Sequence, residues 1–173
     1  TELGTVHSLE EIRAITEHAH SRDMVVHLDG ARIANGAAAL GVSLGATTTE
    51  VGVDILSFGG TKNGLMLGEA VVVINPDVVT GMKYLRKSSM QLASKMRFVS
   101  AQLSALLTDD LWLRNASHSN AMAQRLAAAV DGIPGLQITR EVEANAVFPI
   151  LSQDSSRRLM EQFKFYFCDE ATG

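Results

Sequence analysis

Apolar positions change their spacing several times along the chain, and each change marks an element. After Ser8-Leu9-Glu10-Glu11, a capping box with Ser at the cap and Glu three residues on, Leu9, Ile12, Ile15 or Thr16, and Ala19 recur at helical spacing. This predicts a helix from about Leu9 to Ser21. Met24-Val25-Val26-His27-Leu28 is a short β-rich run of the kind buried on both faces of a parallel sheet, with Asp29 and Gly30 at its carboxyl end. Ala31 to Leu40 reads as a second helix closed at Gly41. Thr47-Thr48-Thr49-Glu50 offers another capping box for one short turn. Val53 to Phe58 then alternates like a strand and ends at Gly59-Gly60, Thr61-Lys62-Asn63-Gly64 is a loop, and Glu69 to Ile74 is a further strand stopped by Asn75-Pro76.

Three strands within a short span, two of them joined by a predicted helix, define an α/β architecture with a mostly parallel sheet. From Asp77 to Val130 the pattern turns helical, with Leu103, Leu106, Leu107, Leu111, Leu113, Met122, Leu126 and Val130 marking two or three helices. Gly132-Ile133-Pro134-Gly135 breaks that run. Strands near Leu136–Thr139 and Ala146–Leu151, a helix from Ser155 to Phe163 and a strand at Phe165–Cys168 then read as the start of a smaller α+β domain. The expected division is 1–76 for the second half of a large domain, 77–130 for a helical connection and 131–173 for the beginning of the small domain. The opening Thr1-Glu2-Leu3-Gly4 reads as the tail of an earlier element, and Asp169 to Gly173 as a stop with no further strand, so a fragment is expected.

The length of 173 residues suits about one domain, and 46% apolar with 20% charged residues fits a globular chain with a real core. Fifteen Lys and Arg against nineteen Asp and Glu leave a net charge of −4. That balance supplies no general attraction to nucleic acid or anionic membrane, and neither is expected as a partner. The longest apolar runs fall far short of the roughly 18 residues a membrane helix needs. Cys168 is the single cysteine and the five histidines lack zinc spacing, so no internal disulfide and no metal site are expected, and a reducing, cytoplasmic setting is the default.

Two places carry candidate chemistry. Asp29 stands at the end of a strand, where open α/β sheets bind ligands. Strand period puts His27 on its face, and Arg32 follows within a helical turn. The plain structural alternative is that Asp29 caps the next helix and pairs with Arg32. Lys62 lies between Gly59-Gly60 and Gly64, directly after a strand; it is either an exposed loop lysine or an amine held for chemistry. The surrounding residues do not match a Walker loop, and no Gly-x-Gly-x-x-Gly follows the first strand. An acid at one strand end, an arginine three residues on and a glycine-flanked lysine at a later strand end together suit pyridoxal phosphate. That cofactor needs an amine, a carboxylate for its ring nitrogen and donors for its phosphate and phenolic oxygen.

His27-Leu28-Asp29-Gly30-Ala31-Arg32 with Ser57-Phe58-Gly59-Gly60-Thr61-Lys62-Asn63-Gly64 closely resembles the low-specificity threonine aldolases, fold-type I pyridoxal-phosphate enzymes of the transferase-like kind. The likeness extends through Leu85-Arg86-Lys87, Ser94-Lys95-Met96-Arg97, Leu111-Trp112-Leu113-Arg114-Asn115 and Glu143-Ala144-Asn145. It implies that Lys62 is the Schiff-base lysine, Asp29 the partner of the pyridine nitrogen, Ala31 the small residue against one ring face and Arg32 a contact to the phenolic oxygen or the substrate carboxylate. His27 is a candidate cofactor contact or, more simply, a buried satisfied histidine. Lys87 and Arg97, with Arg86 and Lys95, are either a basic cluster near the cofactor or a solvated helix face. Trp112 reads as packing.

The implied reaction is retro-aldol cleavage of threonine or allo-threonine to glycine and acetaldehyde. A pyridoxal-phosphate β-eliminating lyase and a non-catalytic fragment are the alternatives. The resemblance also implies a homo-oligomer, a dimer of dimers. It places the phosphate loop and a catalytic histidine before Thr1, and the arginine for the substrate carboxylate after Gly173.

Overall fold

The computed structural model describes residues 3–168. In chain order it contains α1 (Leu9–His20), β1 (His27–Gly30), α2 (Ile33–Leu40), β2 (Ile55–Gly59), β3 (Glu69–Val73), α3 (Met82–Ser88), α4 (Arg97–Leu107), α5 (Leu111–Val130), β4 (Gln137–Ile138), β5 (Pro149–Ile150) and α6 (Gln153–Met160). The α/β class holds, and the expected helical stretch resolves into α3, α4 and α5.

Local chemistry sets the boundaries. Ser8 Oγ accepts from the Glu11 N–H at 3.1 Å while the Glu11 carboxylate accepts from the Ser8 N–H at 2.8 Å, so the capping box forms in full. The second expected box does not: the Thr49–Val51 turn has no side-chain cap, and the Thr47 and Thr48 hydroxyls donate instead to the Leu44 carbonyl. Backbone acceptors one turn upstream win the competition for those short side chains.

The first sheet has the order β1-β2-β3. β1 pairs with β2 in parallel, Asp29 opposite Ser57, and β2 pairs with β3 antiparallel, Ser57 opposite Val71. The sheet is therefore mixed. One face carries Leu56 and Phe58, which pack with Ile33, Ala34 and Ala37 of α2, Leu106 of α4, and Trp112 and Ala116 of α5 into the core. The other face carries His27, Asp29, Ser57 and Val71, of which His27, Asp29 and Val71 are exposed.

Two expectations about strands are corrected here. β1 begins at His27, and Met24 and Val25 are 58% and 49% exposed rather than buried on both faces. They precede the ladder because Asp54 reaches into this stretch, its carboxylate accepting from the Val26 N–H at 2.8 Å. The strand expected at Phe165–Cys168 is absent: those residues are irregular, with no pairing strand among the described residues to take their hydrogen bonds. Residues 169–173 lie outside the described residues. β4 and β5 form a short antiparallel pair, and α6 follows with Ser152 as its N-cap.

α2 and α5 meet through small residues, Ala37 and Ala116 both being fully buried. Beside them Asn35 Nδ2 donates to Asn120 Oδ1 at 3.0 Å and Asn120 Nδ2 returns a bond to the Asn35 carbonyl at 3.0 Å. The close helix approach and this reciprocal amide pair fix α5 against the strand–helix unit that bears Asp29.

Candidate active site

The parallel pair β1–β2 delivers two loops to the same edge of the sheet. At the end of β1 the Asp29 side chain folds over its own turn, Oδ1 accepting from the Ala31 N–H at 3.0 Å. Its second carboxylate oxygen has no hydrogen bond among the described residues, and the residue is exposed on the open sheet face. This corrects the capping alternative. The N-cap of α2 is Arg32, without a side-chain cap. Nor do Asp29 and Arg32 form an ion pair, since the ion pairs among the described residues are His7–Glu11 and His20–Asp54. The half-buried Arg32 guanidinium and the Asp29 carboxylate are left to face other partners.

At the end of β2 the chain passes Gly59 against the backbone of Ala31. A Cβ on Gly59 would lie 2.3 Å from the Ala31 carbonyl oxygen, so only glycine lets the two strand ends come this close. Lys62 follows in a single helical turn, Thr61–Asn63, and is exposed. Its ammonium has no ion pair and no hydrogen bond among the described residues. Asp29, Ala31, Arg32 and Lys62 are thus carried on neighbouring strand ends, the position where open α/β sheets bind ligands.

His27 lies on the same face and is exposed, with Nε2 2.8 Å from Ser57 Oγ, so the buried-histidine reading is corrected. The open face leaves it only a cross-strand hydroxyl as partner. Lys87 and Arg97 stand at the end of α3 and the start of α4, both exposed. The Arg97 guanidinium sits 5.0 Å from the centre of the Phe98 ring. Among the described residues no ion pair connects either one to Asp29. Trp112 is core, as expected of its area.

A cleft of about 110 Å³ opens beside Asp29 and Arg32, lined also by Val6, His7, Leu28 and Thr47. A larger one of about 410 Å³ lies between α5 and residues 138–142, far along the chain from the lysine turn, with Asp131, Arg140 and Glu141 in its wall. The strand-end group has the better chemistry despite its smaller cavity, because a carboxylate and a guanidinium line it and an amine with no ion pair among the described residues stands on the neighbouring strand end. Among the described residues there is no metal-binding cluster of His, Cys, Asp and Glu, and no helix is long and apolar enough to cross a membrane.

The most heavily engaged acid lies at the opposite end of the strands. Burial alone would push the Asp54 carboxyl up, but hydrogen bonds from the Val26 N–H, Asn75 Nδ2 and His20 outweigh it and hold the group below the ordinary carboxylate range. Sequence reasoning singled out neither this hub nor Glu69, whose carboxylate accepts from the Gly60 and Thr61 N–H groups at 3.2 Å each. Nothing in the local spacing marks either one.

A mixed α/β sheet carrying Asp29, Arg32 and the Lys62 turn on adjacent parallel strand ends sets the class at the level of fold: part of a fold-type I architecture. The sequence profile of the beta-eliminating lyase family matches residues 1–154, and the chain belongs to that family. It is 42% identical over 167 residues to the low specificity L-threonine aldolase of Pseudomonas aeruginosa, covering 96% of this chain and 48% of the relative. A second low specificity L-threonine aldolase, from a Pseudomonas species, is 41% identical over the same share of each. The solved threonine aldolase of Leishmania major superposes with a TM-score of 0.88 at 28% identity, covering 98% of this chain and 49% of that one. The chain thus spans about half the length of the relatives it matches.

Proposed function

We propose that the protein acts in pyridoxal-phosphate-dependent cleavage of the Cα–Cβ bond of threonine or allo-threonine, giving glycine and acetaldehyde. The observation that carries this reading is the joint placement of Asp29 and the Lys62 turn on adjacent parallel strand ends, in a chain 42% identical to a low specificity L-threonine aldolase. The donor set fits the cofactor: among the described residues, an amine with no ion pair and a carboxylate with one oxygen free of hydrogen bonds, on strand ends brought together where Gly59 packs on the Ala31 backbone.

When bound, the cofactor supplies a conjugated cationic ring that accepts the electron pair of the breaking bond. Lys62 would supply the amine that holds the cofactor. Asp29, its Oδ1 fixed by the Ala31 N–H, directs its free oxygen to hold a proton on the ring nitrogen; that fixed negative charge favours the electron-accepting form. Ala31, the small residue between Asp29 and Arg32, would lie against one face of the ring. Arg32 offers a planar cation to the phenolic oxygen or to the substrate carboxylate. His27, whose Nε2 lies 2.8 Å from Ser57 Oγ, and the cations Lys87 and Arg97 would add contacts to the cofactor, roles that rest on the resemblance to threonine aldolases.

We assign the protein to the cytoplasm on its single cysteine, and to a homo-oligomer, a dimer of dimers. The exposed apolar side chains Tyr84, Met90 and Phe98 beside the basic cluster support the latter.

The test is a visible absorption spectrum of the purified protein with an assay of its products. A visible band that disappears in Lys62→Ala, with equal release of acetaldehyde and glycine from threonine, is the expected result. A band unchanged in Lys62→Ala overturns the role of Lys62. Ammonium and a 2-oxo acid in place of glycine point to β-elimination instead.

A further inference from the structure

The turn that carries Lys62 is fastened on both sides, and none of the fastenings uses the lysine side chain. Upstream, the Gly60 and Thr61 N–H groups donate to the two oxygens of Glu69, and Thr61 Oγ1 donates to the Gly68 carbonyl at 3.3 Å. Downstream, Asn63 exchanges two hydrogen bonds with α5, one of them with Asn115. Asn115 Nδ2 donates to the Asn63 carbonyl at 2.9 Å, and Asn63 Nδ2 donates to the Trp112 carbonyl at 3.2 Å. Asn63 is only 5% exposed.

The fit is close on every side. Trp112 and Asn115 are three residues apart on α5 and so share one face of the helix. Gly64 takes φ +106°, and a Cβ there would stand 2.8 Å from Asn115 Nδ2, so the carboxamide reaches Asn63 only over a glycine. α5 is in turn held to α2 by the Asn35–Asn120 pair. A continuous set of contacts thus runs from the helix behind Asp29, through α5, to the backbone beside Lys62.

We propose that Asn115 and Asn63 are positioning residues: their reciprocal clamp on the backbone following Lys62 fixes where its amine meets the cofactor, relative to Asp29. The inference rests on the cofactor role proposed for Lys62. A buried carbonyl left without its donor is costly, so losing the Asn115 carboxamide frees the turn to move. Among the described residues the Lys62 ammonium has no hydrogen bond or ion pair to compensate.

The test uses Asn115→Ala and Asn115→Asp with two readouts. In the apoprotein, the Asn63 and Leu65 amides, which donate to the Gly60 carbonyl at 3.0 and 3.2 Å, report opening of the turn by hydrogen exchange. Both variants exchange there about tenfold faster than wild type at neutral pH, with the α1 amides unchanged. Below about pH 4 the carboxyl introduced by Asn115→Asp regains a donor O–H, so the exchange ratio of that variant to wild type returns toward one while that of Asn115→Ala does not. In the holoprotein, borohydride reduction and peptide mapping give the share of cofactor fixed on Lys62 against the other four lysines. That share is dominant in wild type and falls about fivefold or more in both variants.

Wild-type exchange and a wild-type share on Lys62 in both variants overturn the clamp. If Asn115→Ala loses its cooperative melting transition, the isosteric Asn115→Asp decides alone. Wild-type protein that fixes cofactor on no preferred lysine overturns the role of Lys62 itself, an outcome distinct from failure of the clamp.

Discussion

Replacing Asp54 by alanine removes one acceptor from three donors on three different segments. Its side chain is 5% exposed, and Val26 N–H, Asn75 Nδ2 and His20 Nε2 each lie 2.8 Å from a carboxylate oxygen. Its own backbone carbonyl also accepts from the Ile74 and Asn75 N–H groups, so this one residue ties α1, the approach to β1, the start of β2 and the end of β3. His20 is 42% exposed and rehydrates once its partner is gone. The other two donors are half-buried. Hydrogen bonds to a charged group contribute about 1.5–3 kcal/mol each, which sets the expected loss for Asp54→Ala at about 3–5 kcal/mol. His20→Ala, which deletes the exposed donor alone, costs under about 1 kcal/mol.

Urea unfolding followed by circular dichroism measures both losses. The pH dependence gives an independent check. The folded carboxyl titrates below its ordinary value of 3.8, so its stabilisation is complete above that value and disappears as the pH falls through the lower folded one. Wild-type protein therefore loses stability on acidification through this window, and Asp54→Ala gives a flatter profile there. A variant within about 0.5 kcal/mol of wild type, or one with the wild-type acid slope, refutes the network.

Two further substitutions separate stability from chemistry at the other end of the strands. Asp29→Asn retains Oδ1 as acceptor for the Ala31 N–H, so unfolding stability stays within about 0.5 kcal/mol while aldehyde release falls about a hundredfold or more. A loss of stability equal to the loss of activity contradicts that assignment. Gly59→Ala drives a methyl into the Ala31 backbone, 2.3 Å from its carbonyl oxygen, and costs about 3 kcal/mol in the same unfolding assay. An unchanged transition means that the strand ends are farther apart than the structure has them.

Much of the fold was legible because its signals are local. The Ser8–Glu11 box, the Gly41 stop and the Asn75-Pro76 stop are decided within four residues of chain, and the elements they bound stand where the spacing puts them. What failed depends on distant partners. Met24 and Val25 have the composition of a buried strand, yet residue 54 captures the backbone next to them. Phe165 to Phe167 have strand composition too, and a strand exists only where a second one takes its hydrogen bonds. Composition reports what a segment prefers and says little about what lies opposite.

The candidate site divides along the same line. Asp29 and Lys62 stood out as candidates, and their place at the sheet edge was legible, because a strand end and a glycine flank are local features of the sequence. The residues that hold them were not. Glu69 acts across nine residues and Asn115 across 52, each on backbone groups that every residue possesses, so no pattern of residue types distinguishes them beforehand. The same asymmetry bears on substitution. A reactive side chain is defined by its own atoms and tolerates no replacement. A positioning side chain is defined by one donor or acceptor, so an unlike residue that returns that atom restores the function, as a protonated carboxyl is expected to do in Asn115→Asp.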